Sequence, residues 1–136
     1  MSVIIKACKT SYINFECLHT PSQNTIVTDA PVDNGGNGSS FSPTDLLATA
    51  YLSCMLTIID LTVKANNWGE LKTEGQIEKI MTSNPRRIGE LRVMIRMPAS
   101  TPENQRDKLE KAARNCPVAL SVSEGLITDI DFAYEL

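Results

Sequence analysis

Phe41-Ser42-Pro43-Thr44-Asp45-Leu46-Leu47-Ala48-Thr49-Ala50-Tyr51-Leu52-Ser53-Cys54 is the stretch on which the fold turns. Ser42 is a good N-cap, and Pro43 suits the first helical position, where its missing N–H has no partner to lose. Asp45, three residues past the cap, gives a weaker form of the capping box and suits the positive end of the helix dipole. Leu47, Ala50, Cys54, Ile58, Leu61 and Ala65 follow at helical spacing, and Leu46, Tyr51, Met55, Ile59 and Thr62 form a second row beside them. A helix apolar over so much of its circumference is expected to be a buried central helix. Asn67-Trp68-Gly69 should stop it near Asn66.

On the N-terminal side, Ser2 to Cys8, Tyr12 to Leu18 and Asn24 to Asp29 are short β-like runs bounded by Pro, Ser and Asn. Their period-two patterns predict strands. Pro31 to Ser42, with Gly35, Gly36 and Gly38, is a loop. On the C-terminal side, Leu71 to Thr82 and Ile88 to Met97 predict two long strands joined at Ser83-Asn84-Pro85. Pro102-Glu103 opens a second helix with a polar face, which should end at Asn115-Cys116-Pro117, because the residue before a proline disfavours helical geometry. Val118 to Glu124 suggests a further turn or short helix stopped by Gly125, and Leu126 to Leu136 a last strand. Three strands, helix, two strands, helix, strand is the order of an α+β domain with a mainly antiparallel sheet packed on helices. With no repeat and no linker, 1–136 is expected to be a single domain.

Thirteen Lys and Arg against sixteen Asp and Glu give a net charge of −3. That argues against a nucleic-acid partner, which calls for a basic face, and against a polybasic membrane anchor. The longest uncharged apolar run, Leu46 to Ile59, is fourteen residues, shorter than the roughly 20 that span a bilayer. The first residues carry no secretory-signal pattern. A soluble cytoplasmic protein is expected, with its four cysteines as thiols and any disulfide catalytic rather than structural.

The lone histidine, His19, ends a predicted strand beside Thr20-Pro21, which favours a surface role over a nucleophile pair. Cysteines at 8, 17, 54 and 116 have no zinc-ligand spacing, and the glycine loop has neither G-x-G-x-x-G nor a Walker lysine, so no metal and no cofactor are expected. Cys8 and Cys17 read as small strand hydrophobes. Cys54, on the apolar helix, fits packing as well as chemistry. Cys116, between a helix end and Pro117, is the more suggestive position.

The quoted stretch resembles the signature of the OsmC/Ohr family, thiol-dependent hydroperoxide reductases and their relatives. That signature is Ser-Pro, an acidic residue, two leucine-like positions, a run of small residues and then Cys. Asn115-Cys116-Pro117-Val118 is similar to the family's second-cysteine segment, and Thr28-Asp29-Ala30-Pro31 with the glycine loop matches the usual lead-in. The resemblance covers nearly the whole chain. It implies sheets wrapped around long central helices in an intertwined homodimer, with Cys54 as the peroxidatic and Cys116 as the resolving thiol. It also implies an organic hydroperoxide or other apolar small molecule as substrate, and a dithiol reductant, such as one of lipoyl type.

Two positions depart from the family's pattern. Its efficient members ionise the first thiol with an arginine from the N-terminal strands, held by a glutamate ten residues before the cysteine. Here the first 85 residues contain no arginine, Asn14 aligns with that position, and Thr44 stands where the glutamate would be. Arg92, Arg96, Arg114 and the Arg86-Arg87 pair are the substitute cations on offer, each of which reads more simply as a solvated charge. An alternative function follows: a ligand-binding or stress-related protein on the same fold with little peroxidase activity.

Overall fold

A computed structural model describes residues 1–136. The chain divides into two compact units, Met1–Leu47 and Ala48–Leu136, described here in turn.

In the first unit, β1 (Ile5–Lys9), β2 (Phe15–His19) and β3 (Asn24–Thr28) form an antiparallel sheet in the order β1-β2-β3. Ala7 pairs with Cys17 and Cys8 with Glu16. Successive side chains alternate in direction, so Cys8 and Cys17 point to opposite faces and cannot bridge within the sheet. The face shared by Ala7 and Cys17 also carries Ile5, Phe15 and Ile26, whose side chains stay largely exposed. Asn14 is committed to local structure. Its Nδ2 donates to the Thr28 carbonyl (3.2 Å), and its Oδ1 accepts from Ser11 Oγ (2.5 Å).

The glycine loop that follows is built on Asp29. This carboxylate is 1% exposed and accepts from Ala30 N (2.8 Å), Ser39 N (2.9 Å) and Ser39 Oγ (2.6 Å). Those bonds hold it below the usual carboxylate range, the Ser39 hydroxyl contributing most. Gly36 is required by contact, since a Cβ there would sit 1.7 Å from the Ala30 carbonyl oxygen. The loop delivers the chain to α1 (Pro43–Ala65). The capping box there is fully formed: Asp45 N donates to Ser42 Oγ (3.1 Å), and Ser42 N donates back to Asp45 Oδ2 (2.8 Å).

In the second unit, β4 (Glu74–Thr82) and β5 (Arg87–Met97) pair antiparallel, with a register shift between Ile80 and Met81. After α2 (Glu103–Arg114) and the short α3 (Pro117–Ser121), β6 (Ile127–Tyr134) returns and pairs with β5 in parallel. The sequence pattern pointed to mainly antiparallel pairing, and this edge is the exception. The parallel edge follows from the helical crossover, which is long enough to bring the chain back to the starting end of the sheet. Across the chain the α+β class holds, and three of the four strand pairings are antiparallel.

The core of this unit is formed by Tyr51, Met55, Ile59 and Val63 of α1, Leu91, Val93, Ile95 and Met97 of β5, and Leu109, Ala113 and Cys116. The alternation along β5 sends Arg92 and Arg96 to the opposite face, where they meet Glu78, Glu90 and Glu135. Tyr134 Oη donates to Glu110 (2.7 Å), and the Arg106 guanidinium stacks 4.0 Å over the Tyr134 ring, fastening β6 to α2. Burial and the Glu110 carboxylate push the Tyr134 hydroxyl pKa up.

Only one of the two predicted helix rows is core. Tyr51, Met55, Ile59 and Val63 are buried, while Leu47 and Leu61 are 39% and 53% exposed. The helix has 23 residues, with a mean hydropathy of 1.8 in its most apolar 18-residue window, of which 28% is buried. By length and composition alone it could cross a membrane, contrary to the expectation from its fourteen-residue uncharged run. One such helix is weak evidence, because the core helix of a soluble domain has the same character.

Candidate functional site

The two cysteines singled out by sequence come together. Cys54 is at the middle of α1, on the flank of the buried row and half-buried. Cys116 is 0% exposed and lies at the junction of α2 and α3. Both are free thiols, and they lie near enough for Cys54 to act on the ionisation of Cys116. Cys8, by contrast, is exposed on β1 and Cys17 half-buried on β2, in the other unit.

Local sequence explains the setting of Cys116. Asn115 N still bonds to the Lys111 and Ala112 carbonyls and closes α2. Pro117 forces Cys116 out of helical geometry (φ −65°, ψ 152°), which makes it the N-cap of α3 with proline at the first position. Its Sγ accepts from Ala119 N at 3.4 Å. Burial nevertheless dominates and pushes the Cys116 thiol above its ordinary pKa, the Ala119 N–H acts against it, and the adjacent Cys54 sulfur adds to the rise. Burial disfavours the anion, and a neighbouring thiolate repels a second one.

Sequence reasoning missed Tyr51 as part of this site. Its ring is core, 3% exposed, and its hydroxyl bonds to the Thr128 side chain within electrostatic reach of Cys116 and Arg114. Burial pushes this hydroxyl pKa up, and the Cys116 charge raises it further. The available signal was helical spacing, since Tyr51 precedes Cys54 by three residues and shares its side of the helix. Thr128, far off in the sequence on β6, carried none.

Of the candidate cations, Arg92 and Arg96 are spent on surface carboxylates, at 2.8 Å from Glu90 and Glu135 respectively. Arg87 donates to the Ile88 carbonyl. Arg114 lies within electrostatic reach of Tyr51. Its guanidinium donates to the Ile130 carbonyl (2.9 Å) and stands 5.1 Å from the Phe132 ring centroid. His19 caps a surface turn, with Nδ1 2.6 Å from Ser22 Oγ.

Comparison with known proteins identifies the family. A family model described as OsmC-like protein matches residues 36–131. The chain belongs to the OsmC-like family. It is 34% identical to a Psychrobacter arcticus 273-4 protein named for osmotic stress induction and detoxification response, over 94% of this chain and 93% of that one, with a TM-score of 0.88. The same OsmC-like fold occurs in an organic hydroperoxide resistance protein from Legionella pneumophila (18% identity, 98% and 97% coverage, TM-score 0.75). It occurs again in the organic hydroperoxide resistance protein OhrB of Bacillus subtilis (15% identity, 97% and 98% coverage, TM-score 0.68). Among curated proteins, none matches.

Proposed function

We propose that this OsmC-like chain is a thiol-dependent organic hydroperoxide reductase, with Cys54 peroxidatic and Cys116 resolving, serving oxidative-stress defence in the cytoplasm. The observation that carries the reading is the pairing of two free thiols of unequal access, one half-exposed and one wholly buried. The Cys54 thiolate attacks the O–O bond of ROOH, the alcohol leaves, and Cys54 becomes a sulfenic acid. Cys116 then displaces water to close a disulfide, which protects Cys54 from over-oxidation and which an external dithiol reduces. The apolar surroundings of Cys54 favour organic over inorganic peroxide.

A second reading is supported by one observation. With Asn14 tied to Thr28 and no arginine before position 86, the family's usual cation is missing. An OsmC-like binding or stress-related protein with little turnover would suit that loss. Peroxide consumption decides between them, using organic peroxide and hydrogen peroxide in turn, with dihydrolipoamide or dithiothreitol as reductant. Turnover abolished by Cys54→Ser supports the reductase; no turnover above buffer supports the binding protein.

Residues 1–136 act in this reading as one functional domain that pairs as a homodimer. Support comes from apolar surface that the first sheet leaves uncovered at Ile5, Phe15 and Ile26. Sedimentation equilibrium at micromolar concentration should give twice the 14.9 kDa chain mass; a monomer would refute the pairing.

A further inference from the structure

The reductive half of the cycle has a built-in direction. This inference rests on the two-cysteine reading above, and it concerns which sulfur of the Cys54–Cys116 disulfide meets the reductant. Thiol–disulfide exchange depends on which sulfur is attacked, on access to it, and on how well the other sulfur leaves.

Access differs sharply between the two. Cys116 has no exposed surface and packs in one core with Leu109 and Ala113 at the end of α2. Cys54 lies on the flank of α1, between the buried row and exposed Ser53 and Thr57. Cys54 is therefore the less buried of the two, whereas reaching Cys116 Sγ requires opening the core. The Cys116 sulfur is also the one provided with a donor, accepting from the Ala119 N–H group.

We propose that the external thiolate attacks Cys54 Sγ and that Cys116 leaves as a thiolate held by the Ala119 N–H group, so that the mixed disulfide with the reductant forms on Cys54. The new S–S bond joins the reductant to Cys54, the Cys54–Cys116 bond breaks, and its electron pair goes to Cys116 Sγ. The second thiol of the dithiol then attacks its own sulfur in the mixed disulfide and expels the Cys54 thiolate. The dithiol is oxidised to a disulfide, and its two protons end on Cys54 and Cys116.

One effect opposes this direction. A thiol of higher pKa leaves more slowly, and burial raises that of Cys116. With Brønsted coefficients near 0.5, each unit of leaving-group pKa changes an exchange rate by only about threefold. Burial of the attacked sulfur closes the other route outright, so access decides.

The test uses the full chain and does not depend on peroxidase activity. Diamide oxidises the reduced protein, which is desalted and mixed with glutathione. N-Ethylmaleimide then stops the reaction at early times, and peptides are mapped by mass spectrometry. Glutathione on Cys54 with maleimide on Cys116 is expected, in at least about tenfold excess over the reverse pattern given the difference in access. Glutathione on Cys116, or equal amounts on both, would overturn the inference while leaving the disulfide intact. If diamide produces no Cys54–Cys116 bridge, the two-cysteine reading itself fails, and this inference with it.

Discussion

Closing of the Cys54–Cys116 disulfide should accelerate with pH, at about one decade per unit. Cys116 attacks as a thiolate, and its burial pushes its pKa above the ordinary thiol value of 9.0. The groups facing it are Cys54 and Tyr51 from α1, neither of them a cation, while the Arg114 guanidinium is engaged by the Ile130 carbonyl and stands beside Phe132. The N–H groups of Ala119 and Val118 favour the anion without overcoming burial. Between pH 6 and 8 the group is thus mostly neutral, and each unit of pH changes its ionised fraction about tenfold, or roughly 1.4 kcal/mol. The disulfide-closing step should therefore speed up about a hundredfold across that range. The assay is rapid mixing with excess organic peroxide, an acid quench, and mass spectrometry that separates thiol, sulfenic acid and disulfide. Excess peroxide makes the second, concentration-independent phase report closing alone. A rate that stays flat from pH 6 to 8 would refute the reasoning, because it would require Cys116 to be ionised already.

Three further predictions concern the scaffold. Ser42→Ala, which removes the side-chain acceptor for Asp45 N at the start of α1, should lower unfolding free energy by about 1 kcal/mol in urea titration; no loss would mean that the box does not hold the helix end. Ile59→Ala, at a site with 0% exposure, should cost about 2–5 kcal/mol by cavity formation, read as a lower denaturation midpoint at unchanged slope. Asp29 has a depressed pKa, so its contribution is complete above its unfolded value of 3.8 and is lost as pH falls below that through the folded value. Asp29→Asn should accordingly be less stable at neutral pH and lose less on acidification to pH 2–3 than the parent, as followed by circular dichroism.

The parts legible in the sequence were those written locally. Ser42-Pro43 fixed the start of α1, and Asn115-Cys116-Pro117 fixed the end of α2, because capping and proline geometry act over three or four residues. The alternation from Leu91 to Met97 gave the inner strand. Non-local choices were not legible. The parallel pairing of β6 on β5 depends on where a crossover lands, and nothing in Ile127–Tyr134 encodes its neighbour. The choice of the Tyr51–Val63 row over the Leu47–Leu61 row depends on which face meets β5, since both rows are apolar. At the candidate site, the two cysteine segments marked Cys54 and Cys116 as a candidate pair. The Tyr51–Thr128 hydrogen bond joins distant positions, and the Arg114 contact with Ile130 depends on the same return of β6.

The central claim is that Cys54 and Cys116 form a working thiol–disulfide pair, and its most direct test is a disulfide map after one equivalent of organic hydroperoxide. Reduced protein is treated, unreacted thiols are alkylated, and peptides are sequenced by mass spectrometry. The account predicts a single bridge between Cys54 and Cys116, with Cys8 and Cys17 still alkylated, since those two lie on opposite faces of the first sheet. A bridge involving Cys8 or Cys17, or no bridge with Cys54 left as a thiol, would contradict it.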